Sequence, residues 1–403
     1  MEGAHRFRWR RAIRQAGRWA VLAAAVALAW PAQEGSSASL YLPALSPFIA
    51  GASVIAVRTV GVAALLALPV LLLALASRRW FCRHGCPVGL LQEVVGWARP
   101  SARGRGLRWP MIGRWLVLLT LGGAMLGYPL FLWLDPLAVF NGFMNGFRRP
   151  VALATVLTGL GLPVLLLLEL AAPRLWCRRL CPLGASQDLL AGPRRLLERV
   201  WRRRAGPAQV TREAMQGRRW FVAACAGAAG ALAARVAGGR APGPLRPPGS
   251  VGEEHFTGVC VRCGNCAQVC PSRIIEPDLG AGGVMGFLAP RLRLDADYCR
   301  EDCHRCNEVC PSGAIARLSL ADKRLHKIGL AAVNLDACLL AMGRECTACI
   351  RQCPYEAIAI GSSDGGFSNE PRVDAGLCNG CGACEVVCPT RPARAIRVEV
   401  ARA

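Results

Sequence analysis

CNGCGACEVVCP, from Cys378 to Pro389, sets three cysteines at two-residue gaps, a fourth after three more residues, and a proline directly behind it. The short gaps let three thiolates from one tight loop take three corners of a 4Fe-4S cube, while the fourth points away and can complete a second cube. Cubes held this way come in pairs. The stretch therefore defines a folding unit as well as a binding site, and the chain repeats it.

Cys260, Cys263, Cys266 and Cys270 repeat the spacing unchanged. Cys299, Cys303, Cys306 and Cys310 widen the first gap by one residue; Cys338, Cys346, Cys349 and Cys353 widen it by five. Pro271, Pro311, Pro354 and Pro389 follow the fourth cysteine of each quartet. An apolar residue and an aspartate precede three of the quartets, at Leu294 and Asp295, Leu335 and Asp336, and Val373 and Asp374. Short apolar runs follow two of them, at 314–316 and 357–360. Each unit reads as strand, cluster loop, helical turn and returning strand. Zinc ribbons pair two separated C-x2-C knuckles rather than packing three cysteines into one loop, and a disulfide framework has no reason to repeat a signature ending in Cys-Pro. CREDCH, from Cys299 to His304, resembles a widened haem-attachment motif, but its cysteines belong to the second quartet. The sixteen cysteines are thus read as the ligands of four 4Fe-4S clusters.

The 403-residue chain, with 21 cysteines and a formal charge of +23, is too long for this unit alone. All the excess charge lies in residues 1–240, and the rest is neutral. In that basic half the arginines are interrupted by uncharged runs, Thr59–Ser77, Trp115–Leu134 and Val151–Leu168, each near the ~20 residues that cross a bilayer as a helix. Trp19–Ala32 is a shorter first run. Four spans then place twenty-six arginines on one side against Arg58, Arg148 and Arg149 on the other. This asymmetry puts the amino terminus in the cytoplasm and explains the charge without nucleic acid. His5 and His84 are the only histidines in this half, so it cannot hold bis-histidine haem.

The basic half has its own repeat. WFCRHGCPVGLLQE (80–93) aligns with LWCRRLCPLGASQD (175–188), each copy directly after a span. Cys82, Cys86, Cys177 and Cys181 could converge as ligands of one cluster, act as dithiols, form a docking surface, or simply make tight turns. Asp135, at the outer end of the third span, and Glu169, near the cytoplasmic end of the fourth, read as interfacial carboxylates that are hydrated or paired with Arg174, and otherwise as acids of a proton or quinol path. Trp80, Trp133 and Trp176 fall where interfacial anchors belong. Between the halves, GRRWFVAACAGAAGALAARVAGG (217–239) has the paired arginines and weakly apolar run of a twin-arginine export signal. Cys225 within it reads as a small apolar residue. APGPLRPPGS (241–250) follows as a proline-rich linker.

On these motifs the basic half resembles the four-span quinol-dehydrogenase component of periplasmic nitrate reductase systems and its methylamine-utilisation relative; it shares the duplicated C-x3-C-P and the serine-rich GSSASL at 35–40. The second half is similar to the twin-arginine-exported four-cluster ferredoxin of the same systems, in LRPPG (245–249), CVRCGNCAQVCP (260–271) and CPSGAI (310–315). The resemblance implies a fusion of two proteins usually separate. The two cytoplasmic cluster motifs that end the membrane family are absent here. Spacing leaves open which quartets pair, and the resemblance implies a nested order, first with fourth and second with third.

The reading that follows is an α-helical membrane module over residues 1–193, a linker with the signal-like segment over 194–250, and an α+β polyferredoxin domain over 251–403. The resemblance implies a multi-pass protein of the bacterial cytoplasmic membrane that oxidises quinol from the quinone pool. Its electrons would pass through four clusters to a periplasmic reductase or dehydrogenase such as nitrate reductase. The alternative is a maturation or redox-sensing factor for such an enzyme. No general base, nucleophile or nucleotide loop is apparent in the soluble half.

Overall fold

The computed structural model describes residues 2–30, 37–98, 109–147, 153–192, 207–238, 243–362 and 369–400. Arg148, Arg149, four of the eight arginines of the second basic loop, the start of the serine-rich loop and the basic stretch 194–206 lie outside the described residues. The amino-terminal helix α1 (Glu2–Ala29) stops before Trp30-Pro31. A short α2 (Tyr41–Ala44) then meets α3 (Pro47–Val57) at 90°. Ser46 makes this corner, because its hydroxyl caps Ile49 N at 3.3 Å and Pro47 presets the first helical turn. α4 (Val62–Leu65) and α5 (Leu68–Ala76) form one apolar segment broken ahead of Pro69. α6 (Trp80–His84) and α7 (Pro87–Gly96) carry the first C-x3-C-P.

The second half of the module repeats this order. α8 (Ile112–Met125) ends where Gly127, at φ +80°, turns the chain back, and α9 (Pro136–Asn145) follows. α10 (Leu153–Gly159) and α11 (Gly161–Ala171) follow, then a π-helical turn at Trp176–Leu180 and α12 (Pro182–Leu190). The run read as Trp115–Leu134 is therefore not one helix. Leu153–Ala171 has the length and apolarity to cross a bilayer; the bent pair over 38–57 is a second by composition, and Val62–Ala76 and Ile112–Met125 are apolar but shorter.

Asp135 departs most from the sequence reading. It is fully buried rather than hydrated, it caps α9 through Leu137 N at 2.8 Å, and it accepts from Ser46 Oγ at 2.5 Å. Leu45-Ser46-Pro47 and Leu134-Asp135-Pro136 are thus matching corners that meet inside the bundle. Trp176 is buried too, not an interfacial anchor, while Trp133 is exposed. Glu169 is buried and turned onto Arg174 as expected, accepting from its backbone N–H at 2.8 and 2.9 Å.

The signal-like segment lies within helix α13 (Pro207–Gly238), with Arg218, Arg219 and Cys225 exposed. It packs on α8 through small residues. A Cβ on Gly122 would stand 2.0 Å from the Ala224 carbonyl oxygen, and one on Gly227 would stand 2.1 Å from that of Leu119. Arg235 near its far end donates to the Leu126 carbonyl. Close backbone approach of this kind is how helices associate where water supplies no driving force.

The carboxyl-terminal half is three two-stranded antiparallel sheets joined by cluster loops. β1 (Ile275–Pro277) pairs with β2 (Pro290–Leu292), β3 (Leu330–Val333) with β6 (Ile396–Glu399), and β4 (Ile358–Ser362) with β5 (Asn369–Val373). A bridge between Ser250 and Ile315 completes the pattern. Strands thus pair between neighbouring units rather than within one. The domain meets the bundle beside Gly127, whose carbonyl oxygen lies 3.0 Å from His255 Nδ1, whereas Gly113 at the other end of α8 faces the Cys181 carbonyl. The 14 residues of α8, about 21 Å long, separate the two contacts.

Gly227→Ala and Gly122→Ala are expected to destabilise the protein in detergent by about 1–3 kcal/mol each despite a gain in helix propensity of up to ~1 kcal/mol, because backbone meets backbone. Denaturant titration of the purified variants checks this.

Candidate iron-sulfur sites

Strand pairing decides which cysteines meet. The β1–β2 hairpin runs from the end of the first quartet to the start of the second, and β4–β5 links the third to the fourth in the same way. Cys310 accordingly faces Cys260, Cys263 and Cys266, and Cys270 faces Cys299 and Cys306. Cys388 faces Cys349 in the loop of Cys338 and Cys346, and Cys353 faces Cys381 and Cys384 in the loop of Cys378. First pairs with second and third with fourth, so the nested order implied by the resemblance does not hold. Each fourth cysteine crosses to the neighbouring loop, as the motif requires.

We label the resulting sets in spatial order. Site A is Cys260, Cys263, Cys266 and Cys310; site B is Cys299, Cys303, Cys306 and Cys270. Site C is Cys378, Cys381, Cys384 and Cys353; site D is Cys338, Cys346, Cys349 and Cys388. Cys266 neighbours Cys306 between A and B, and Cys384 neighbours Cys349 between C and D. The pairs join where Cys299 N donates to the Cys381 carbonyl at 2.9 Å. Sites A, C and D each line a small cavity with all four thiols. In A and C, a glycine at positive φ, Gly264 at +80° and Gly382 at +90°, turns the loop into the helix bearing the third cysteine.

These sets fit cubes. Among the described residues no three His, Cys, Asp or Glu side chains gather as ligands of a single ion. A cube carries its iron at separate corners, whereas one zinc needs thiolates within about 4 Å of each other. None of the 21 cysteines is in a disulfide. Burial pushes Cys299 up to about 11 and Cys381 up to about 12. Iron binding must therefore displace their protons. Burial pushes Cys388 up as well, but hydrogen bonds from Thr390 and the backbone of Ala395 and Ile396 more than offset it.

Lys323 carries a signal that spacing could not give. It is fully buried on the short helix Leu320–Leu325, donates to the Arg300 carbonyl and reaches the Cys299 thiol. A buried ammonium beside the site favours whatever state adds negative charge there.

The amino-terminal helical half gathers a fifth set. Each C-x3-C-P begins after an arginine at positive φ, Arg79 at 53° and Arg174 at 64°. In each, the second cysteine caps the following helix behind a proline: Cys86 accepts from Gly89 N and Cys181 from Gly184 N. The glutamines then cross between repeats. Gln92 Oε1 accepts from Cys177 Sγ at 2.7 Å, and Gln187 Nε2 donates to Cys82 Sγ at 3.3 Å. Asp188 binds Arg78 and Arg79 at 2.5 and 2.6 Å, tying the second copy to the first. All four thiols line one cavity of 790 Å³ rimmed by arginines. The four thiols of the two copies are thus brought to one place. The matching corners at Ser46 and Asp135 belong to the same duplication; the Leu-Ser-Pro and Leu-Asp-Pro tripeptides were the signal that would have found them.

Such thiol sets define an iron-sulfur protein of the ferredoxin type. A 4Fe-4S dicluster domain matches residues 259–314 and 344–391, one match per strand-paired couple, and a 4Fe-4S binding domain matches 59–109 and 152–204, one per C-x3-C-P. The methylamine utilization ferredoxin-type protein MauM of Methylobacillus flagellatus is 36% identical over 168 residues, 38% of this chain and 67% of that protein. The ferredoxin-type protein NapG of Escherichia coli K12 is 38% identical over 192 residues, 43% of this chain and 81% of that protein. NapF of the same organism is 33% identical over 151 residues, covering 37% of this chain and 83% of NapF. No solved structure matches the chain. The chain belongs to this family of ferredoxin-type 4Fe-4S electron-transfer proteins, related to the Nap and Mau components.

Replacing Lys323 with Met is expected to lower the midpoint potential of one centre by on the order of 100 mV, the effect of a unit charge about 5 Å away at an effective dielectric near 20. Potentiometric EPR on anaerobic protein reads it.

Proposed function

We propose that the chain is a membrane-bound electron conduit, a natural fusion of a multi-pass quinol-dehydrogenase module with a polyferredoxin domain that lies on the periplasmic side of the bacterial cytoplasmic membrane. The observation that carries this reading is the unbroken row of thiol sets from A to D, joined at Cys299 and Cys381. A bound cube supplies one-electron chemistry, and a row of them suits a wire rather than a bond-making site. In this reading the sixteen cysteines hold four clusters, and Cys82, Cys86, Cys177 and Cys181 hold a fifth at the cytoplasmic face. Their convergence and the matched 4Fe-4S binding domain support that role.

The protein's own groups set the properties of each site. The caps at Cys86 and Cys181 place thiolates at helix amino termini, where the dipole favours them. The arginines around the cavity offset the thiolate charge. Four spans plus α13 as a fifth would put the two ends of α8 on opposite faces, in keeping with the arginine asymmetry. The close packing of α13 on α8 supports a retained helix rather than a discarded signal. Quinol donates at the membrane module, and a periplasmic oxidoreductase of the nitrate reductase kind accepts beyond site D.

Anaerobically purified protein is expected to carry about 20 iron atoms per chain, and Cys82→Ser with Cys177→Ser to remove about four. In membrane vesicles quinol is expected to bleach the iron-sulfur absorbance. Iron-free protein, or clusters that quinol cannot reduce while dithionite can, would refute the conduit.

A further inference from the structure

One ligand loop of the ferredoxin half is completed by the membrane half. α9 begins at Asp135, an electrostatic neighbour of Cys82 and Cys86, and ends ten residues later at Asn145, a length of about 15 Å. Near its far end Asn141 and Asn145 lie one turn apart on one face. Both donate to the carbonyl oxygen of Cys263, at 2.9 and 2.7 Å. Asn141 also donates to Asn265 Oδ1 at 2.5 Å, so two acceptors fix which way its amide points.

The rest of the junction converges on the same loop. Asn265 donates to the Ser39 carbonyl at 3.1 Å and to that of Val309 at 3.2 Å; Gln268 donates to the Trp30 carbonyl at 3.3 Å. Gly264 offers no Cβ, which Asn145 Nδ2 would meet at 2.8 Å. Asn141 and Asn145 are themselves buried, and their own amide oxygens have no hydrogen-bond partner. A fold seldom strands two buried acceptors without return. Here the return is two donors aimed at one peptide that bears a ligand.

We propose that Asn141 and Asn145 are positioning residues for site A: the membrane module fixes the loop of Cys260, Cys263 and Cys266 and sets its potential, so that site A is shared between the two halves. The proposal rests on reading site A as a 4Fe-4S site. Amide N–H groups turned toward the Cys263 peptide put positive partial charge beside the site, which favours the reduced state. Their loss lowers the potential.

The test is a redox titration by EPR of the full-length protein, purified anaerobically, with Cys260→Ser identifying the site A signal by its loss. Asn145→Leu is expected to lower the midpoint of that signal alone with iron content unchanged, Asn141→Leu with Asn145→Leu to lower it further, and Asn145→Gln, which keeps the donor, to recover part of the shift. Should the double variant lose iron, the single variants still decide. Unmoved midpoints, or equal shifts in all centres, overturn the positioning role while leaving site A intact. If Cys260→Ser removes neither iron nor signal, the reading of site A falls first.

Discussion

The fourth cysteine of each motif cannot reach the site its own loop builds, and the architecture of the carboxyl-terminal half follows from that. Three thiols from one turn leave a corner that only another loop can fill, so the units must sit side by side with their strands paired. The antiparallel hairpins β1–β2 and β4–β5 make this exchange local, and the bridge at Ser250–Ile315 and the β3–β6 pair close each couple. Two couples then need contacts between them to become a row. The Cys299–Cys381 hydrogen bond, between backbone groups of two candidate ligands, is one, and Arg394 donating to the Leu294 carbonyl is another.

The amino-terminal helical half uses a looser form of exchange. Its two C-x3-C-P copies are held together by glutamines that reach the first cysteine of the opposite copy and by Asp188 on the arginines of the other corner. The duplicated Ser-Pro and Asp-Pro corners lie deeper, joined by one hydrogen bond. A single duplicated unit thus places helix amino termini, thiols and amides about one centre. The ferredoxin half docks at the carboxyl-terminal end of α9, one of those duplicated helices.

Much of the carboxyl-terminal half was legible because iron-sulfur ligation fixes spacing in the sequence: the sixteen cysteines and their prolines appear there, and the run at 357–360 and Val373 fall on β4 and β5, whereas Leu335 begins a 3-10 turn and the first quartet follows the helix Glu253–Val259 rather than a strand. The pairing of quartets was not, since every fourth cysteine is chemically the same and only strand register distinguishes its partner. In the amino-terminal half hydropathy marked the apolar runs but missed the chain's return at Gly127, because a turn between apolar residues leaves the run as apolar as an unbroken helix. Asp135 misled for the same reason: a carboxylate beside an apolar run reads as interfacial unless its cap and its Ser46 partner are seen. Lys323 and the Asn141–Asn145 pair carry no motif at all. Their meaning lies in what folding brings beside Cys299 and Cys263.

The central claim is that neighbouring quartets exchange their fourth cysteines to form one row. Iron anomalous scattering from crystals of the anaerobically purified protein tests it most directly. The account predicts centres in the order A, B, C, D, with Cys310 closing the loop of Cys260 and Cys388 closing that of Cys338. Density for Cys388 on the first quartet's iron, or the two couples standing apart with no contact between Cys299 and Cys381, would contradict it.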